Sequence, residues 1–183
     1  MRVIAGTAKG KQLKMVPGEG TRPIADRVKE AVFNILVHDL PGSRFLDLFA
    51  GTGAVGIEAL SRGAAHATFI EKAAPAVRVV RDNLRSTGLD ARATVLHADA
   101  FDFAPKTIEQ FDIIYIAPPQ YLGLWSKALR ALDEHPILAD GGVIVVQIFP
   151  KEFELLSLQH YVLTDQRTYG STMLCFYEYG AVD

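Results

Sequence analysis

One cysteine, Cys175, stands in a chain of 183 residues, so no internal disulfide can form and a reducing, cytoplasmic setting is expected. Its neighbours in Met173-Leu174-Cys175-Phe176 are apolar, which suits a buried strand residue rather than a reactive thiol. Long hydrophobic runs are missing as well. None approaches the roughly 18 residues of a membrane-spanning helix, and the opening Met1-Arg2-Val3-Ile4-Ala5-Gly6 lacks the apolar stretch of a secretory signal. A soluble protein with no membrane partner is expected. His38, His66, His97, His135 and His160 are scattered without metal-ligand spacing, so no metal site is expected. Internal repeats and low-complexity segments are also absent.

What is present is an ordinary globular composition, 49% apolar and 22% charged, in a length that suits one domain with a sizeable core. Charge is unevenly placed. Residues 1–30 hold seven basic side chains against three acidic ones, a local +4, which leaves −6 for the remainder of a chain whose total is −2. A basic arm on an acidic body is the electrostatic footprint of a nucleic-acid partner. Its candidate phosphate-binding residues are Arg2, Lys9, Lys11, Lys14, Arg22 and Arg27.

Residues 1–25 are broken by Gly6, Gly10, Pro17, Gly18, Gly20 and Pro23, which predicts a hairpin-like or extended arm. Residues 26–183 then form the main domain. Asp26 is the expected N-cap of a helix whose apolar positions Val28, Ala31, Val32, Ile35 and Leu36 follow helical spacing up to Pro41-Gly42. Strands are predicted at 44–48, 67–71, 93–98, 111–116 and 142–147, alternating with helices at 53–62, 74–87 and 122–133. That is the pattern of a mostly parallel α/β sheet. Beyond Pro150, runs at 161–168 and 172–177 joined through Tyr169-Gly170-Ser171 predict an antiparallel terminal hairpin. Trp125, on the last of those helices, is expected to pack in the core.

The ligand class is written at the end of the first strand. Gly51-Thr52-Gly53-Ala54-Val55-Gly56 fits the dinucleotide fingerprint G-x-G-x-x-G, with Glu71 about 20 residues beyond Gly51, where a ribose hydroxyl is usually bound. Asp47 opposes a dinucleotide, because a carboxylate beside the glycine turn would repel a pyrophosphate. A cationic ligand is attracted instead. S-adenosylmethionine has a ribose, an ammonium and a sulfonium, and no phosphate. In an open parallel sheet the ligand lies at the carboxyl ends of the strands, and Asp47, Glu71 and Asp99 follow three successive strands. Asp99, between Ala98 and Ala100, suits an adenine amino group.

After the fourth strand comes Ala117-Pro118-Pro119-Gln120-Tyr121. Two prolines fix the backbone and offer only carbonyl acceptors, which suits an exocyclic amine whose hydrogens must be held while its nitrogen attacks a methyl group.

Together, Arg2-Val3-Ile4-Ala5-Gly6, Lys9-Gly10, Thr21-Arg22-Pro23, the run from Asp26 to Leu36, Asp47-Leu48-Phe49-Ala50-Gly51-Thr52-Gly53 and Gly56-Ile57-Glu58-Ala59-Leu60-Ser61-Arg62-Gly63-Ala64 resemble the RsmD family. These bacterial enzymes methylate N2 of a guanine in small-subunit (16S) ribosomal RNA. The resemblance implies a class I, Rossmann-like S-adenosylmethionine-dependent methyltransferase fold, a seven-stranded sheet with its last strand antiparallel. It further implies that Asp47, Gly51 and Gly53 surround the methionine part of the cofactor, Glu71 the ribose and Asp99 the adenine, with Phe49, Thr52, Lys72, Ala98, Ala100 and Ala117 beside them. The partner would be ribosomal RNA, free or in an assembling small subunit, and the chain a monomer. In the family the catalytic loop reads Asp or Asn, Pro, Pro, aromatic. Here Ala117 replaces the acid or amide, and the first aromatic is displaced to Tyr121. The catalytic loop residues are then Pro118, Pro119, Gln120 and Tyr121, with Gln120 as the substitute acceptor and Tyr121 as the base-stacking ring. A catalytically weak RNA-binding relative is the alternative that this departure raises, and an NAD-linked oxidoreductase the third.

Overall fold

The computed structural model describes residues 1–18 and 23–181, so Thr21 and Arg22 lie outside the described residues. In chain order the elements are α1 (Asp26–Ile35), β1 (Arg44–Asp47), α2 (Ala54–Ser61), β2 (His66–Glu71), α3 (Ala74–Thr87), β3 (Ala93–His97), α4 (Ala100–Phe103), β4 (Phe111–Ile116), α5 (Leu124–Glu134), β5 (Leu138–Ile148), β6 (Tyr161–Tyr169) and β7 (Thr172–Tyr179). The strands form one sheet in the order β3-β2-β1-β4-β5-β7-β6. β1 to β5 are parallel, whereas β7 runs antiparallel to both β5 and β6. Strand order reverses between β1 and β4, which opens a crevice at their carboxyl ends.

The sequence explains this layering. Phe111-Asp112-Ile113-Ile114-Tyr115-Ile116 buries side chains on both faces, as a central parallel strand must. One core cluster packs Phe45, Ile113 and Val145 against α1, α2 and the N-terminal arm, and a second packs Leu46, Ile114 and Val146 against α5. Trp125 is buried there and stacks on Phe153, as expected of a core residue. Cys175 is likewise buried, and that burial pushes its thiol pKa up.

Many boundaries move by one or two residues from the sequence reading, and three of the differences have a clear physical cause. Asp26 is not the N-cap of α1. Ala25 holds that position with an extended backbone, while Asp26 sits in the first turn and turns its carboxylate toward Arg2 at 3.6 Å. α5 starts at Leu124 rather than 122, because Gly123 takes a left-handed φ of 65° at its N-cap. β5 starts at Leu138 rather than 142: Leu138 pairs with Phe111 before a register shift, and Asp140-Gly141-Gly142, which reads as a turn, is a kink inside the strand. A Cβ at Gly142 would lie 2.7 Å from the Asp112 carbonyl oxygen, so this close backbone approach requires glycine.

The arm is a hairpin held by Val3 N–H to the Lys11 carbonyl at 3.0 Å and Gly10 N–H to the Val3 carbonyl at 2.9 Å. It is docked against the body, with Val3, Ala8 and Leu13 buried in the first cluster. Its anchor is Glu58 on α2, which is fully buried. The Glu58 carboxylate accepts from the N–H groups of Ile4 (3.0 Å) and Ala5 (3.1 Å) and from Arg62 Nε (2.9 Å). Lys29 of α1 lies 3.5 Å from it and donates to the Arg2 carbonyl at 2.7 Å. Burial lowers the Lys29 pKa and the Glu58 charge partly offsets that effect.

Removing Glu58 leaves the buried Lys29 ammonium without its counter-charge and the Ile4 and Ala5 N–H groups without a partner. Glu58→Ala is therefore expected to cost about 3–5 kcal/mol of unfolding free energy. Urea denaturation followed by circular dichroism reads this, and a loss under about 1 kcal/mol would mean that the arm is not anchored through Glu58.

Candidate active site

A cavity of about 970 Å³ opens at the carboxyl ends of β1, β2, β4 and β5. Asp47 is the last residue of β1 and Glu71 the last of β2, while Asp99 follows β3 by two residues. All three line the cavity, with Phe49, Gly51, Thr52, Lys72, Ala98, Ala100, Ala117, Pro118, Pro119 and Gln120. Gly53 does not. Its φ of 81° makes the N-cap of α2, and a Cβ there would come within 3.1 Å of Val80, so its task is to shape the turn from behind.

Each carboxylate is held in place. Asp47 is 2% exposed, and its Oδ2 accepts from the Gly56 N–H at 3.2 Å. Burial raises its pKa to about 7; the Gly56 bond opposes that rise, and the nearby Glu71 charge adds to it. Glu71 accepts from the Gly51 N–H at 2.8 Å and the Ala73 N–H at 2.9 Å, and so ties the glycine turn to the start of α3. Asp99 caps α4 by accepting from the Phe101 N–H at 3.0 Å and pairs with Lys72 at 3.1 Å. The Phe101 bond chiefly, with Lys72, keeps its pKa below the usual range. Three carboxylates against one lysine make this cavity hospitable to a cation and hostile to a pyrophosphate.

Tyr121 is placed otherwise than expected. It lies outside the cavity lining, 62% exposed, with its ring stacked on Phe149 at 5.0 Å and its backbone N–H donating to Glu152 at 2.6 Å. Its φ of 63° is unusual for a residue other than glycine and marks a constrained loop. Of the arm residues, Lys9, Lys11 and Arg27 are exposed, Arg2 and Lys14 pair with Asp26 and Asp82, and Arg22 lies outside the described residues.

Sequence reasoning overlooked six aromatic or polar cavity residues: Phe101, Tyr115, Gln147, Phe149, Ser171 and Thr172. Strand alternation puts Tyr115 and Gln147 on the Asp47 face once the register is known. It also overlooked a wall made by the arm itself, since Val16, Pro23, Ile24 and Ala25 border the cavity.

A family model described as "Conserved hypothetical protein 95" matches residues 1–178. The chain is 39% identical to "Putative rRNA methyltransferase YlbH" of Bacillus subtilis (strain 168), over 97% of this chain and 98% of that protein. It is 33% identical to "Ribosomal RNA small subunit methyltransferase D" of Haemophilus influenzae, over 97% of this chain and 93% of that one. Among solved structures it is similar to "Putative methyltransferase yhhF from Escherichia coli", with a TM-score of 0.87 and 30% identity, over 98% of this chain and 97% of that one.

The raised pKa of Asp47 links the stability of the free protein to pH. A carboxyl pKa raised from 3.8 to about 7 adds stability that is complete below pH 3.8 and is lost as pH rises through about 7. Asp47→Asn keeps an acceptor for Gly56 without the charge. The variant is expected to melt higher than the parent at pH 8, with an advantage that shrinks toward pH 5. Thermal unfolding across this range decides it, and a parent that is the more stable at pH 8 would refute the buried-charge account.

Proposed function

The chain belongs to the Conserved hypothetical protein 95 family, and on that premise we propose that it transfers the methyl group of S-adenosylmethionine to the exocyclic N2 amine of a guanine in small-subunit ribosomal RNA. The observation that carries this reading is the trio Asp47, Glu71 and Asp99 around a glycine turn, with Lys72 as the only basic side chain among the described residues lining the cavity. The residues fit S-adenosylmethionine. Asp47 would hold its ammonium, Glu71 would take the ribose hydroxyls, and the Asp99 segment with Phe101 would border the adenine. When bound, the cofactor supplies a methyl group on a positively charged sulfur, a good leaving group once the methyl has gone.

The protein contributes position and polarity. Pro118 and Pro119 have no N–H and offer only carbonyl acceptors to an amine. Burying Asp47 concentrates its attraction for a cation in a low-dielectric site. The exposed lysines of the arm add long-range attraction for an RNA backbone, while the arm's apolar segment borders the cavity, so that RNA and cofactor would meet across one wall. Acting on an assembling subunit, as a monomer in the cytoplasm, belongs to the same proposal.

Calorimetry tests the cofactor. S-adenosylhomocysteine is expected to bind and NAD not, and Asp47→Asn is expected to weaken binding at pH 8 by about 1–3 kcal/mol. Micromolar NAD binding without a response to S-adenosylhomocysteine would overturn the assignment.

The RNA partner is tested through salt. Replacing Lys9, Lys11 and Lys14 by alanine should weaken binding to small-subunit RNA and flatten its salt dependence by about 0.7 log unit for each single-strand phosphate that is no longer neutralised. An unaltered slope would mean that the arm's charges face solvent only.

A further inference from the structure

Ala117 follows β4 with no polar group, beside the cavity in which an amine would have to be held. Next to it across the sheet is Gln147. The β4–β5 ladder pairs Tyr115 with Val145 and Ile116 with Val146, so the next step of the same register sets residue 117 beside residue 147. Both line the cavity. Tyr115, Ala117 and Val145 pack into the cluster on the α2 face, and the alternation of strand side chains puts Gln147 on that face too. Glu71 of β2, Asp47 of β1, Tyr115 of β4 and Gln147 of β5 thus lie on one face of the sheet at the crevice, Glu71 and Gln147 two residues further along their strands than the paired Asp47 and Tyr115.

The Tyr115 hydroxyl donates to Gln147 Oε1. Burial first, and then the Asp47 charge, raise the Tyr115 pKa well above the usual value, so this phenol stays protonated and acts as a donor. An amide oxygen has two lone pairs, and Tyr115 takes one. The other is available in an oxygen whose position is already fixed, which is how a preorganised acceptor is made. Gln120, the substitute suggested by sequence, is exposed at the cavity rim, and no hydrogen bond among the described residues holds its side chain.

We propose that the Gln147 side-chain amide is the acceptor for the target amine, filling the role that Ala117 cannot, with Tyr115 as its positioning residue. This assignment rests on the methyl-transfer reading above. In that reaction an N–C bond forms, a C–S bond breaks with its electron pair left on sulfur, and the nitrogen gives up one proton to water. As the nitrogen gains positive charge its N–H bonds polarise, and the hydrogen bond to Gln147 strengthens toward the transition state.

The test uses the full chain with Gln147→Leu, Gln120→Ala and Tyr115→Phe, and with Ala117→Asp added to Gln147→Leu. Single-turnover methyl transfer to small-subunit RNA should fall at least about tenfold in Gln147→Leu and less than about threefold in Gln120→Ala. The double variant, with an acceptor restored one strand away, should regain most of the rate. Tyr115→Phe should lower kcat with little effect on KM for RNA, since its part is to aim the amide. Two readouts without turnover accompany the rates. Affinity for S-adenosylhomocysteine should stay within about twofold in Gln147→Leu, while RNA affinity of the S-adenosylhomocysteine complex should fall about threefold to tenfold, as expected when one neutral hydrogen bond is removed. A parent-like rate in Gln147→Leu, or the larger drop in Gln120→Ala, overturns the assignment and leaves methyl transfer standing. Failure of the parent itself to methylate any RNA would instead remove the functional reading on which the assignment rests.

Discussion

Burial of the Asp47 carboxylate is the constraint around which the site is organised. A charge taken out of water at the end of β1 must find a donor, and it finds the Gly56 N–H just beyond the glycine loop. That bond fixes how Gly51 to Gly53 turn into α2. Gly56 is suited to the place for a second reason, since a Cβ there would lie 2.3 Å from the Phe69 ring. The cost of burial appears as a pKa near 7, which makes the free protein poised to bind either a proton or a cation. A ligand ammonium removes that cost on binding. Asp47 therefore trades stability of the empty site for affinity, a compromise often found where a site does chemistry.

A second buried carboxylate connects this site to the arm. Glu58 lies two residues beyond Gly56 on the same short helix, and it gathers the Ile4 and Ala5 N–H groups, Arg62 and Lys29. Arm, α1 and α2 are thereby one body rather than a domain with a loose extension. Asn83 of α3 strengthens the docking by accepting from the Lys14 N–H at 2.7 Å and donating to the Lys14 carbonyl at 3.1 Å. The arm's basic side chains are consequently presented from a fixed platform whose apolar continuation borders the cavity. An RNA held by the first would be led toward the second.

Much of this was legible in the chain, and for definite reasons. Parallel strands ending in Asp47 and Glu71 announce themselves because apolar runs, glycines and a terminal acid are local signals. The hairpin of β6 and β7 is marked by Tyr169-Gly170-Ser171. Features that depend on register were not legible. Gln147 reads as a polar end to an apolar strand until β4 and β5 are aligned, and only then does it become the neighbour of Ala117. Lys29 looks like a solvated position on an amphipathic helix and Glu58 like a lone charge in an apolar one, and their burial together follows from how the arm folds over them. Tyr121 was read as a stacking ring because it is the nearest aromatic in sequence, yet a left-handed backbone turns it onto Phe149. The true start of β5 is hidden for the converse reason: Asp140-Gly141-Gly142 has the composition of a turn but lies inside the strand.

The central claim is that this chain places one methyl group on a guanine amine of small-subunit ribosomal RNA. A mass-spectrometric map of methylated guanines, made from cells with the gene, without it, and with the gene restored, tests that claim most directly. The account predicts that one N2-methylated guanine in the small-subunit RNA disappears with the gene and returns when the gene is restored. Identical maps in all three would contradict it.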